Sequence, residues 1–131
     1  MMLRGTQTEK NLWLAFAGES QAQNKYAYFA EMAKREGRED VAKVFMENSK
    51  QEQEHARLIF QFLNEKNNTE TNLKISAQSE NYEANTMYEE YERVALQEGL
   101  EDIAKFFREI AKIEAEHERK FLALLKNFSS K

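Results

Sequence analysis

Two Glu-x-x-His motifs are the residues of this 131-residue chain best suited to metal chemistry. Glu52 and His55 form the first motif, and Glu114 and His117 form the second. Residues three apart on a helix lie one turn apart on the same face, so each carboxylate and its imidazole can reach one point. Four-helix bundles combine two such pairs with glutamates from the other two helices to hold two iron or manganese ions.

The other two helices offer the carboxylates that this site needs. They are Glu19 in the first half of the chain and Glu80 and Glu83 in the second half. With the two motif glutamates, five negative charges would face the four positive charges of two divalent ions, so the filled site is close to neutral. Oxygen-rich ligands with two imidazoles, in a chain without Cys, favour iron or manganese over structural zinc. Solvated or salt-bridged glutamates are the alternative, and it is most open for Glu83, at the edge of its helix face.

Four helices are the elements that must position these residues. The chain has no Pro and only four Gly, and is rich in residues that favour helix. Gly37 and Gly99 each precede a short turn and a helix restart, and residues 65–70 form the one polar internal linker. We therefore predict helices over residues 8–36, 39–64, 71–98 and 101–127.

Each predicted helix has an apolar seam, with alternating steps of three and four residues, whose middle is polar or ionisable. The seam of the second helix contains Val41, Phe45, Asn48, Glu52, His55, Ile59 and Phe62, and that of the fourth contains Ile103, Phe107, Ile110, Glu114, His117, Phe121 and Leu124. An uncompensated buried carboxylate costs several kcal/mol, so the interruption indicates a site rather than plain core.

The two halves of the chain repeat each other. Residues 24–62 align with residues 86–124 with 15 identities in 39 positions, at an offset of 62. At this offset Glu19 aligns with Asn81, and Glu80 and Glu83 lie on either side of Asn81 in the sequence. The first half therefore offers one carboxylate from its first helix, whereas the second half offers two.

Composition excludes several classes of partner. The chain has 19 Lys and Arg against 23 Asp and Glu, and its net charge of −4 argues against nucleic acid or an anionic membrane surface. Apolar runs such as residues 12–17 are far shorter than the roughly 20 residues that span a bilayer. The N-terminus lacks an apolar segment followed by a cleavage site, so we expect a cytoplasmic protein.

Several strings resemble the di-iron domain of rubrerythrin, and the resemblance covers nearly the whole chain: TEKNLWLAFAGESQAQNKY, EGREDVAKVF, QEQEHA, NLKISAQSENYEANTMY and IAKIEAEHERKF. It implies one all-α domain over residues 1–131, a ferritin-like four-helix bundle built from two repeated helix pairs, 8–64 and 71–127. It also implies two iron ions, which manganese or zinc could replace. The residues matching iron-ligand positions are Glu19, Glu52, Glu80, Glu83, Glu114 and His117.

The resemblance further implies a di-iron peroxidase that reduces hydrogen peroxide to water. His55 matches the histidine that exchanges with the Glu83-type carboxylate when one iron changes oxidation state, so the residues implied in catalysis are Glu52, Glu114, His55 and Glu83. Because the chain has no Cys, we expect it to lack the rubredoxin-like domain, and the electrons would come from an external donor such as rubredoxin or an NAD(P)H-linked reductase. Tyr26 and Tyr88 are either core aromatics or hydrogen-bond donors to a ligand carboxylate. A ferroxidase or iron-storage protein and a metal-stabilised scaffold are the alternative functions.

The length of the linker predicts a domain-swapped homodimer. In the resembled fold the second and third helices run parallel, so a crossover must return along a second helix of ~37 Å. The six residues between Asn64 and Thr71 reach only ~20 Å. We therefore expect the first helix pair of one chain to pack with the second helix pair of another. A plain up-down bundle within one chain is the alternative.

Overall fold

The computed structural model describes residues 2–129, which fold into helices joined by short turns and contain no strand. The predicted all-α class is therefore confirmed. In chain order the elements are α1 (Gln7–Arg35), α2 (Glu39–Leu63), α3 (Thr69–Tyr82), a π-helical segment (Glu83–Met87), α4 (Tyr88–Gln97) and α5 (Glu101–Ser129). The third predicted helix is thus interrupted by the π-helical segment.

Side-chain caps explain where α1 and α3 begin. The Thr6 hydroxyl accepts the backbone N–H of Glu9 at 3.0 Å, and the Glu9 carboxylate accepts the backbone N–H of Gly5 at 3.1 Å. The side-chain oxygen of Asn68 accepts the backbone N–H of Thr71 at 2.9 Å. This cap starts α3 two residues earlier than predicted and leaves only residues 64–68 between α2 and α3.

The chain divides into two compact units, one ending at Lys66 and the other beginning at Asn67. In the first unit α1 packs against α2, and in the second unit α3, the π-helical segment and α4 pack against α5. Each unit is thus one of the two repeated helix pairs. That both pairs form one ferritin-like domain stays a prediction.

The residues buried inside each unit are small. Ala30, Ala33 and Ala42 form a cluster against which Val41 and Phe45 pack, and Ala104 is fully buried in the second unit. Small residues let paired helices approach closely, but they remove little apolar surface from water. No large side chain among the described residues is fully buried, and many large apolar ones are exposed. Each unit therefore presents an extensive apolar surface.

Glycines in the left-handed conformation end α1 and α4. Gly37 has φ 76° and Gly99 has φ 77°. At the second of these turns the N–H of Leu100 donates to the carbonyl of Ala95 at 2.8 Å, and the N–H of Gly99 donates to that of Leu96 at 3.2 Å. These are the two bonds of a Schellman motif, which places the left-handed residue at the helix end.

We predict opposite effects for two Gly→Ala substitutions. Gly99→Ala should lower the free energy of unfolding by about 1 kcal/mol, because a Cβ is strained at positive φ. Gly18→Ala, inside α1, where an added Cβ meets no atom within 4 Å beyond the backbone of its own helix, should raise it by about 0.5–1 kcal/mol. Urea unfolding of the metal-free protein measures both, and a Gly99→Ala variant as stable as Gly18→Ala would contradict the assignment of strain to Gly99.

Candidate metal centre

The first unit brings Glu19, Glu52 and His55 together. Nδ1 of His55 lies 3.3 Å from a carboxylate oxygen of Glu52, one helical turn away on α2. The same nitrogen lies 3.7 Å from a carboxylate oxygen of Glu19, which projects from α1. One donor atom from each of the three residues lies within 4.8 Å of the other two, so the three could hold a metal ion.

The second unit repeats this arrangement with Glu80, Glu114 and His117. Nδ1 of His117 lies 3.3 Å from a carboxylate oxygen of Glu80 on α3 and 3.8 Å from one of Glu114 on α5. These three residues also each place a donor atom within 4.8 Å of the others. Six of the seven predicted ligands therefore lie in two matching three-donor groups, one in each unit.

Glu83, the seventh predicted ligand, is the first residue of the π-helical segment. It lies outside the three-donor group of its unit but interacts with two of its members. A hydrogen bond shared with Glu114, burial, and the negative charges of Glu114 and Glu80 together raise the pKa of Glu83 to about 7. Glu83 is therefore protonated below pH 7 and about half protonated near pH 7 in the metal-free protein.

The π-helical segment explains the break in the sequence repeat. Residues 8–12 (TEKNL) and 69–73 (TETNL) match at an offset of 61, as do Glu19 and Glu80, whereas the offset is 62 beyond the segment. The second half therefore contains one extra residue, and a helix absorbs such a residue as a π-helical turn. The alignment at a constant offset missed this, although the TEKNL and TETNL strings carry the signal.

The carboxylates of the second unit share protons instead of ionising independently. Burial and a hydrogen bond with Glu114 raise the pKa of Glu80. Hydrogen bonds from Glu80 and Glu83 lower the pKa of Glu114, because Glu114 is the acceptor that these protonated groups stabilise. In the first unit a hydrogen bond with Glu19, followed by burial, raises the pKa of Glu52. Carboxylates this close together resist simultaneous ionisation.

Two buried carboxylate oxygens fit a site built for cations. Oε2 of Glu19 and Oε2 of Glu80 have no hydrogen-bond partner within the described part of the chain. A buried acceptor without a donor costs free energy, and a metal ion would satisfy it. The donor set of carboxylate oxygens and imidazoles is also the one that suits iron or manganese.

The predicted aromatic neighbours of the site, Tyr26 and Tyr88, occupy corresponding positions in the two units. The ring centroid of Tyr26 lies 5.9 Å from that of Phe45, and the ring centroid of Tyr88 lies 5.8 Å from that of Phe107. Burial and the charges of nearby carboxylates, first that of Glu83, raise the pKa of Tyr88. The rings thus pack as core aromatics do, and a hydrogen bond from either hydroxyl to a ligand carboxylate stays a prediction.

An all-helical chain with two Glu-x-x-His helices and facing glutamates belongs to the class of ferritin-like proteins with carboxylate and histidine ligands for two metal ions. The rubrerythrin family model matches residues 10–125, and the chain belongs to the rubrerythrin family. This family consists of di-iron oxidoreductases, as the resemblance of the sequence implied.

Two rubrerythrins agree with this assignment. Rubrerythrin of Porphyromonas gingivalis is 46% identical over 136 residues, covering 94% of this chain and 68% of the relative. Rubrerythrin of Nitratidesulfovibrio vulgaris is 41% identical over 138 residues, covering 95% of this chain and 72% of the relative. A solved structure of nigerythrin in a mixed-valence state is 28% identical, with a TM-score of 0.47, and covers 96% of this chain and 69% of that chain. Between residues 2 and 129 no helix is long and apolar enough to cross a membrane.

Proposed function

We propose that this protein is a di-iron peroxidase that reduces hydrogen peroxide to water with electrons from an external donor. The observation that carries the proposal is the pair of matching Glu, Glu and His groups, one in each helix pair of a rubrerythrin-family chain. Reduction of one peroxide molecule to two water molecules consumes two electrons and two protons. The site must therefore supply both.

The seven predicted ligands would hold two iron ions, with Glu52 and Glu114 between them. When bound in the reduced state, the two iron ions supply one electron each and act as Lewis acids on the peroxide oxygens. The orphaned buried oxygens of Glu19 and Glu80 and the shared protons of the second unit support these residues as ligands. Manganese or zinc could occupy the same oxygen-rich donor set.

His55 and Glu83 are the residues that we propose to respond to the redox state. A neutral imidazole suits the lower charge of a ferrous ion, whereas a carboxylate compensates the higher charge of a ferric ion. The Glu83 carboxyl, whose pKa is about 7, exchanges its proton readily near neutral pH and would have to give that proton up to bind a metal ion. The imidazole of His55 is half exposed within its unit and therefore has room to move.

The external donor that we propose is a rubredoxin or an NAD(P)H-linked reductase. The described helices provide no thiolate ligands for an iron–sulfur cluster, since the chain has no Cys. The proposal also includes a homodimer, because the five residues between α2 and α3 are too few for a crossover that returns along α2. A cytoplasmic location stays a prediction.

Peroxide oxidation of the reduced protein tests the function. We expect one equivalent of hydrogen peroxide, added without oxygen to protein loaded with Fe²⁺, to oxidise both ions of a site within seconds. Stopped-flow absorbance would follow the reaction, and protein loaded with Zn²⁺ is the control. Faster oxidation by oxygen than by peroxide, with iron accumulating far beyond two ions per chain, would favour the ferroxidase or storage alternative. Reaction with neither oxidant would favour the scaffold.

A further inference from the structure

Ser49, in the middle of α2, is the one polar or charged residue among residues 2–128 that is buried, with 5% of its surface exposed. Its hydroxyl donates a hydrogen bond of 2.7 Å to the backbone carbonyl of Gln23 in α1. A serine inside a helix commonly points to solvent or bonds to a carbonyl of its own helix. The bond from Ser49 instead joins two helices.

This bond lies one helical turn from the donor group of the first unit on both helices. Gln23 follows Glu19 by four residues on α1, and Ser49 precedes Glu52 by three residues on α2. Residues three or four apart lie on the same face of a helix. Because the acceptor is a backbone carbonyl, the bond holds the α1 backbone and not a side chain that can rotate. It therefore fixes the separation and register of the two backbones from which Glu19 and Glu52 project.

Apolar contacts join α1 and α2 on either side of this region. The ring centroids of Phe16 and Phe60 lie 5.2 Å apart towards one end of the pair, and those of Tyr26 and Phe45 lie 5.9 Å apart towards the other. Between these contacts the two carboxylates of the donor group repel each other when both are ionised. A buried hydrogen bond from an uncharged hydroxyl opposes this repulsion without adding a charge to the site.

The second unit has no equivalent of this bond within its described residues. At the offset of 62, Ser49 aligns with Ala111, which has no hydroxyl. Gln23 aligns with Ala84 at an offset of 61 and with Asn85 at 62, and both lie in the π-helical segment. Ala84, Asn85 and Ala111 line one surface cavity. The residues that correspond to the bonded pair thus border a cavity, and the fixed register belongs to the first unit.

We propose that Ser49 is a positioning residue of the candidate metal centre, which holds α1 and α2 in the register that brings the three donor residues of the first unit together before a metal ion binds. This inference rests on the proposed di-iron site and adds a residue that is not itself a ligand. Donor groups that are already in place lose less conformational freedom on binding. Removing the hydroxyl keeps all seven proposed ligands but releases the register, so metal binding at the first unit should weaken.

Titration of the metal-free protein with Co²⁺ tests this role, because the visible absorbance of Co²⁺ changes with the geometry of its ligands. We expect Ser49→Ala to bind one of two Co²⁺ ions about 10-fold more weakly than wild type, with an altered spectrum. Ser49→Thr keeps a hydroxyl and should restore both properties. Ala42→Gly is the matched control, since Ala42 is buried two helical turns away on α2 and a glycine there loosens the same helix pair. This control should be less stable in urea but keep the Co²⁺ affinity and spectrum of wild type.

The carbonyl ¹³C chemical shift of Gln23 in the metal-free protein reports the hydrogen bond itself, and it should change in Ser49→Ala. Wild-type Co²⁺ affinity and spectrum in Ser49→Ala, or equal weakening in Ala42→Gly, would overturn the positioning role. Wild-type protein that binds fewer than two Co²⁺ ions per chain would reject the proposed site and the positioning role together. Normal binding by wild type and by Ser49→Ala alike would reject the positioning role alone.

Discussion

Replacing Glu114 with Ala is expected to abolish binding of the iron pair and to lower peroxidase activity by about 100-fold or more. The reason is the position of Glu114 in the structure. Its carboxylate is one of three metal-donor groups, with those of Glu80 and His117, and it accepts a hydrogen bond from Glu83. Loss of a residue that only forms a hydrogen bond to a metal ligand already lowers metal affinity or activity about 10- to 100-fold. Loss of a ligand proposed to lie between both ions should cost more.

The helices should survive this substitution, because the cluster of carboxylates is not what holds the unit together. Glu116→Ala is the matched control, since Glu116 lies two residues further along α5, is exposed and is paired with Arg119. Iron analysis, peroxide turnover and circular dichroism of both variants are the measurements. A Glu114→Ala protein that binds as much iron as Glu116→Ala would remove Glu114 from the site.

The donor groups could be predicted from sequence because they depend on local helix geometry. Glu52 and His55 meet because a spacing of three residues is one turn, whatever the rest of the chain does. Glu19 could be added because it lies in the middle of the seam of the first predicted helix, which is apolar at both ends. The structure brings its carboxylate to 3.7 Å from Nδ1 of His55. The regular period of a helix was sufficient for these predictions.

The environment of Glu83 could not be predicted in the same way. A constant helical period places Glu83 at the edge of its seam, but the π-helical segment locally changes that period. The shared proton of Glu83 then depends on its distance from Glu114, a residue of another helix. Neither the irregular turn nor the proton follows from spacing within one helix.

The burial of the apolar seam residues also could not be predicted from the sequence of one helix. The seams predict which residues an assembled bundle would cover, yet within its own unit Phe62 is 52% exposed. Periodicity identifies an apolar face but says nothing about the chain that supplies the matching face.

Removal of iron is expected to lower thermal stability, and the difference between loaded and metal-free protein should widen from pH 5 to pH 8. A ligand at about 1,000 times its dissociation constant stabilises a protein by about 4 kcal/mol, or roughly 10 °C for a chain of this size. Because the carboxylates and imidazoles must lose protons to bind iron, the affinity should fall as the pH falls. Stability of the loaded form should therefore rise with pH.

The metal-free protein should show the opposite trend over part of this range. The pKa of Glu83 is about 7 in the folded protein against 4.5 ordinarily. Between these values the folded state binds more protons than the unfolded state, so the free energy of unfolding falls as the pH rises. The raised pKa values of Glu52 and Glu80 act in the same direction. The lowered pKa of Glu114 acts only below about pH 4.5, outside this window.

Glu83→Gln distinguishes this explanation from a general effect of pH on the protein. The amide cannot ionise, so the metal-free variant should lose much of the decline in melting temperature between pH 5 and pH 7. Glu90→Gln is the control, because Glu90 is exposed and paired with Arg93, which lowers its pKa, and this variant should keep the decline. Calorimetry of both variants and of wild type, each with and without iron, is the measurement. A metal-free wild-type protein whose melting temperature climbs steadily from pH 5 to pH 8 would show that its carboxylates do not repel one another.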